Sequence, residues 1–224
     1  MNDGGRKIDI GGIFTAALND IGNDVGRYAV FALAWGVVGG LAATYVSRSG
    51  NPVATLPLFI ISIFVTFHAL RAKLGDASVR PRFGSASVYI FLTSLAIGVG
   101  LLLLVVPGLI LFARWVVGLP ALFCEELSVS EALSRSSSLT QGNRWRILGM
   151  GLLIWVPFLL VIILTGWLTA SFGGGSAIGS LPFNMLTNLI AGCLTILASV
   201  CWTEAYLSLS GEEESSDNLA EIFA

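Results

Sequence analysis

The chain has 224 residues, 55% of them hydrophobic and 12% charged, with a formal net charge of -2 and a mean hydropathy of +0.84. Soluble domains carry roughly 25% charged residues, so this composition excludes a water-soluble globular domain, and the sparse basic residues argue against nucleic-acid binding. Cys124, Cys193 and Cys201 lie in or beside apolar runs without metal-ligand spacing, and read as small lipophilic packing residues.

Residues 1–27 form a mixed-charge segment with no short apolar region before a small-residue cleavage site, so the first apolar run is expected to stay as a spanning helix. Within this segment Ile10, Ile13, Phe14, Ala17, Leu18, Ile21 and Val25 recur at three- and four-residue steps, opposite Thr15, Asn19, Asp20 and Asn23. That is one face of an amphipathic helix, expected to lie in the cytoplasmic interface with its apolar side in the lipid boundary.

Six spans follow. Roughly 20 apolar residues at about 1.5 Å each cross a bilayer core of about 30 Å. The expected spans are residues 28–46, 56–72, 86–106, 109–124, 147–171 and 183–208. Pro107-Gly108 is expected to break the chain between the third and fourth. The fourth is short, holds Arg114 and has Pro120 near its end. With the N-terminus inside, this count puts Arg6, Lys7, Arg27, Arg71, Lys73, Arg80, Arg82, Arg135, Arg144 and Arg146 on the cytoplasmic side and leaves only Arg48 outside. Such asymmetry follows the positive-inside rule. A five-span count would move Arg135, Arg144 and Arg146 outside. The expected location is the inner (cytoplasmic) membrane, multi-pass, with both termini cytoplasmic.

Between the fourth and fifth spans, residues 128–141 form a second amphipathic helix, opened by Ser128 and Glu131 at capping-box spacing. Its thin face of Val129, Ala132, Leu133, Ser136 and Leu139 suits helix packing better than lipid insertion. Ile21-Gly22-Asn23 and Gln141-Gly142-Asn143 give the two amphipathic helices similar ends, at which glycine is expected to stop each helix. This suggests a duplicated unit, interfacial helix plus two spans, repeated in parallel about an axis along the membrane normal. The outer loop 172–182 is glycine-rich and reads as a flexible turn. In the acidic cytoplasmic tail 210–224, residues 212–217 are expected to be disordered and residues 218–224 to form a short terminal turn. The fold class is thus all-α, a polytopic membrane helix bundle of six transmembrane helices with two cytoplasmic-side amphipathic helices. Its organisation is a cytoplasmic segment 1–27, a membrane domain 28–209 and the tail.

Residues 106–150 carry a more specific pattern: Pro107-Gly108, Arg114-Trp115, Pro120, Glu125-Glu126, Glu131-Ala132-Leu133, Ser136, Leu139-Thr140, Gly142-Asn143 and Trp145-Arg146-Ile147. This stretch resembles the membrane-domain family named after glycerophosphoryl diester phosphodiesterase, and the six-span layout fits that family. In proteins that justify the name, the resemblance implies, hydrolysis belongs to a separate soluble barrel. This chain has no room for one, so no enzyme activity is expected.

Polar residues inside the membrane are the candidate functional groups. A central arginine costs roughly 2.5–3.5 kcal/mol on insertion scales, so Arg114 needs a partner. The expected cluster is Arg114 paired with Glu204, with His68 nearby at similar depth. The bland alternative is a structural ion pair, or Arg114 snorkelling to the interface. Glu125-Glu126 reads as solvated charge at a helix end, the terminal tryptophans as belt anchors, and Ser134–Ser138 as either a packed face or a modifiable cluster. Gly36, Gly39, Gly40, Gly98 and Gly100 permit close helix approach. No phosphate-binding loop, zinc pattern or serine elbow is present, and no cofactor is implied.

The leading functional reading is a non-enzymatic scaffold, assembly or accessory component. The alternative is a small transporter or lipid-handling protein using the Arg114, Glu204 and His68 cluster. Expected partners are the lipid bilayer, anionic lipids and other membrane proteins, with no nucleic acid. A water-accessible cavity reaching Arg114 favours ligand handling; a tightly packed bundle there favours the scaffold.

Overall fold

The computed structural model describes residues 8–46, 56–75, 78–171 and 180–222. Among these residues the chain is helical without strands: α1 (Ile10–Asn23), α2 (Val25–Leu41, extended by a π-helical turn Ala42–Val46), α3 (Leu56–Leu74), α4 (Phe83–Leu103), α5 (Val105–Trp115), α6 (Gly118–Cys124), α7 (Val129–Leu139), α8 (Arg144–Ser171) and α9 (Leu181–Ile222). Six segments are long and apolar enough to cross a membrane: Val25–Tyr45, Pro57–Leu74, Phe83–Leu103, Val105–Cys124, Arg144–Val161 and Leu181–Gly211. The protein is a multi-pass, all-α integral membrane protein. Its surface fits that solvent: Phe91, Leu102, Leu103, Leu160 and Ile163 face outward, and no water-soluble fold leaves so many large apolar groups uncovered.

The core is held by small residues where backbones approach. Gly36, Gly39 and Gly40 of α2 lie against Leu189, Asn188 and Met185 of α9, and Gly192 of α9 faces Trp35. A Cβ at Gly40 would stand 2.8 Å from the Met185 backbone, so only glycine permits this crossing. Asn184 adds a hydrogen bond, Nδ2 to Thr44 Oγ1 at 2.9 Å. Gly100 and Gly108 similarly bring α4 and α5 into a close hairpin. Gly98 meets nothing within 4 Å.

That hairpin turns at Leu104, which is extended (φ -159, ψ 131), and not at Pro107-Gly108 as the sequence suggested. Pro107 occupies the first turn of α5, where its missing N–H has no intrahelical partner to lose. A second correction concerns Gly22. It stays helical inside α1, and the chain bends at Asp24 (φ -131, ψ 42). Gly142, with φ +86, does end its helical turn as expected. The acidic tail is not a break either: α9 continues unbroken to Ile222, where disorder at residues 212–217 was anticipated. Of the glycine-rich loop expected at 172–182, residues 172–179 lie outside the described residues and Leu181-Pro182 already open α9.

α1 does not give its whole apolar face to lipid. Ile13 and Ala17 are buried, and Ile10, Phe14 and Ile21 pack on the core, largely along α9, while Leu18 remains exposed. The segment before α1 is docked as well: the Asn143 side-chain oxygen accepts from the Ile8 N–H at 3.1 Å, and Arg146 donates to the Ile8 carbonyl at 2.6 Å. The element order helix–span–span recurs in α1–α3 and α7–α9, but the packing differs. α2 lies along α9, whereas α8 packs on α5 and α9.

Candidate functional site

The site begins with a broken helix. Pro120 offers no N–H to the carbonyl of Val116, four residues earlier, and its ring crowds that carbonyl. The fourth span accordingly breaks at Val116-Val117 into α5 and α6, with Val117 at φ -92, ψ 3. Two carbonyls beside the break accept from hydroxyls on other elements. Ser136 Oγ of α7 donates to the Arg114 carbonyl at 2.7 Å. Tyr89 Oη of α4 donates to the Trp115 carbonyl. Both donors are buried. The arrangement needs Gly118, because a Cβ there would collide with the Tyr89 hydroxyl.

α7 is therefore held against α5 at the depth of Arg114. Its N-terminus carries the expected capping box: the Ser128 N–H donates to Glu131 Oε2 at 2.7 Å, and the Glu131 N–H to Ser128 Oγ at 3.4 Å. Hydrogen bonds from Ser128, its hydroxyl first and its backbone second, hold the Glu131 carboxyl below the usual range. Ala132, Ser136 and Leu139 are buried, so the thin face packs on helices as expected.

The geometry gives the three predicted site residues separate partners. Arg114 Nε donates to Ser137 Oγ at 3.0 Å. Glu204 pairs instead with Lys73 of α3; its carboxylate side chain is 11% exposed. That contact is an ion pair by proximity, not an aligned hydrogen bond. His68 Nε2 lies 3.1 Å from Arg27 Nη1 and 3.6 Å from Asp24 Oδ2. Arg27 has only donors, so Nε2 is the acceptor. Tyr28 and Phe31 flank the imidazole ring. The expected Arg114–Glu204 pair thus gives way to two structural contacts, because α3 supplies Lys73 directly opposite Glu204.

Arg114 faces a different neighbour. Arg144, at the start of α8, donates through Nη2 to the Ser137 carbonyl at 3.4 Å, so both guanidiniums converge on Ser137. Together with Trp115, Ser134 and Ser138 they border an open cavity of about 440 Å³ whose lining contains no carboxylate. The Arg144 Nε is buried and has no hydrogen-bond partner. Sequence reasoning counted Arg144 only as a loop charge. The available signal was its place directly after the Gly142-Asn143 turn, which swings it back toward the serine-rich face of α7. A second cavity, of about 420 Å³, borders Glu204, Asp9 and Ser208.

Two further expectations are corrected. Glu125 is not a solvated charge: it accepts from Arg135 Nε at 2.8 and 3.0 Å and from Tyr206 Oη at 2.9 Å. Trp202 is not a belt residue but a buried one, edge-on to Phe112 at 5.6 Å. Trp145, 85% exposed, does stand at the surface.

The model of the family described as the membrane domain of glycerophosphoryl diester phosphodiesterase matches residues 87–206, just over half of the chain and all of the residues that line the Arg114–Arg144 cavity. No solved structure matches the chain. The family description names the membrane domain of that enzyme. With most of α4 through most of α9 inside the match, the chain belongs to this membrane-domain family.

Proposed function

We propose that this protein is a non-enzymatic component of the inner membrane that handles an amphiphilic ligand at the cytoplasmic leaflet. The observation that carries this reading is the open cavity bordered by Arg114 and Arg144. A buried structural arginine would be closed over by packing or met by a carboxylate. This one opens outward beside a second guanidinium. Of the residues first singled out, the reading keeps Arg114 as a ligand-facing group and treats Glu204 and His68 as structural. The cytoplasmic orientation rests on the basic residues gathered at this end, including Arg71, Lys73, Arg80, Arg82, Arg135, Arg144 and Arg146.

A scaffold role is the second reading, favoured by the docking of the N-terminal segment through Asn143 and Arg146. Thiol labelling separates the two. In a chain whose three cysteines are replaced, Ser134→Cys should react with a membrane-impermeant maleimide in inside-out vesicles and resist it in intact cells. Failure to react from both sides would remove the water-filled cavity and leave the scaffold. Reaction in intact cells would reverse the assigned orientation.

A further inference from the structure

Two positive groups share one small volume here without a counter-charge. Arg114 and Arg144 both reach Ser137, one to its hydroxyl and the other to its carbonyl. Neither makes an ion pair among the described residues, although Arg80, Arg135 and Lys73 nearby each do. With no carboxylate in the lining, the two guanidiniums leave this cavity positively charged, a field that draws in an anion. Arg144 retains a buried Nε–H with nothing to receive it. Guanidinium forks match the paired oxygens of carboxylates and phosphates better than any other common group. The remaining lining adds the hydroxyls of Ser134, Ser137 and Ser138.

We infer that the cavity between Arg114 and Arg144 is a binding site for a phosphate group, held by both guanidiniums and the serine hydroxyls of α7. This deepens the proposed function and rests on it. The exposed indole of Trp145, adjacent to Arg144 in the chain, sets the depth. Tryptophan concentrates at the headgroup level of a bilayer, so the site stands where lipid phosphates lie. The bound group is the phosphate of a lipid headgroup or a soluble phosphate, and the chemistry of recognition is the same for both.

The test uses the purified full chain in neutral detergent. Native mass spectrometry measures retention of phosphatidic acid against phosphatidylcholine, with inorganic phosphate added as competitor. The wild type should retain phosphatidic acid at least tenfold better, and Arg114→Gln and Arg144→Gln should each abolish most of that preference. Arg80→Gln removes an exposed arginine paired with Glu126 and should change nothing. Displacement by inorganic phosphate identifies a site open to soluble phosphate; retention against it identifies a headgroup site. Should the glutamine variants not fold, Arg144→Lys keeps the charge but loses the fork, and should bind several-fold more weakly. Equal losses in Arg144→Gln and Arg80→Gln, wild-type binding in Arg144→Lys, or absence of any phosphate preference overturns the inference. Ser134→Cys labelling of the same preparations separates the two claims. A reactive cavity without phosphate preference sinks only this inference, whereas an unreactive one sinks the proposed function.

Discussion

Replacing Ser136 by alanine tests the broken helix at its most sensitive point. The Ser136 side chain is fully buried and donates to the Arg114 carbonyl at 2.7 Å. Removing the hydroxyl strands that carbonyl between α5 and α7, where a buried group without a partner costs about 1–3 kcal/mol. Alanine also favours the helix, returning up to about 0.5 kcal/mol. Ser134→Ala, exposed on the same helix, supplies that propensity gain alone. The difference between the two variants should therefore be about 1–3 kcal/mol, read from detergent-unfolding titrations followed by circular dichroism. Tyr89→Phe frees the neighbouring Trp115 carbonyl and should be destabilising to a similar degree. Since the two carbonyls are adjacent, the double variant should depart from additivity by about 0.5 kcal/mol or more. A Ser136–Ser134 difference below about 0.5 kcal/mol would mean that the hydroxyl is not the carbonyl's essential partner, and the account of the break would fail.

Three other outcomes are expected. Lys73→Met should destabilise by about 3–5 kcal/mol, because it leaves the Glu204 carboxylate buried alone, and the Lys73→Met/Glu204→Leu double variant should recover much of the loss; a double-mutant cycle that instead couples Glu204 to Arg114 would restore the pairing expected from sequence. Gly40→Ala forces apart α2 and the Met185 backbone and should destabilise by about 1–3 kcal/mol or more, whereas Gly98→Ala, with open space around it, should be neutral or stabilising in the same thermal melt. The lowered carboxyl of Glu131 fixes the sign of a pH effect. Its contribution is complete above the unfolded carboxylate pKa and is lost as pH falls through the lower folded value. The melting-temperature advantage of wild type over Glu131→Gln should thus vanish on acidification, and an advantage that grew instead would exclude the capping box as its source.

The membrane fold was legible because its signal is the solvent itself. Long apolar runs leave few alternatives to spanning helices, and basic flanks order them. Boundaries were less legible where a local rule met a packing choice. Pro107-Gly108 reads as a breaker, yet proline is harmless in a first turn, and the Gly100–Gly108 contact favours turning three residues earlier. Gly22 reads as a stop, but α1 is clamped on α9 through Ile13 and Ala17, and the helix runs past it. The capping box at Ser128 and Glu131 was read correctly because it is closed within four residues and asks nothing of the rest of the chain.

The site was harder for the opposite reason. Arg114 announced itself as a charge in an apolar run, but its partner could not be ranked by depth alone. Glu204 was a sound electrostatic choice until Lys73, counted as a loop charge, turned out to stand beside it. The motif residues explain why Arg144 escaped notice. Pro120 breaks the span, Ser136 satisfies a freed carbonyl, Glu125 binds Arg135 and Tyr206, Gly142 makes the left-handed turn, and Asn143 and Arg146 hold Ile8. Pro120 and Gly142 set the backbone, and each of the others completes a bond that the backbone or another side chain requires. Arg144 completes none of that kind: the Ser137 carbonyl that accepts from it is a distant 3.4 Å away, and its Nε faces no acceptor at all. A pattern of residues that satisfy one another marks the frame. The group left over, a charged side chain with one buried donor unmet, is where we infer that the frame meets something outside the chain.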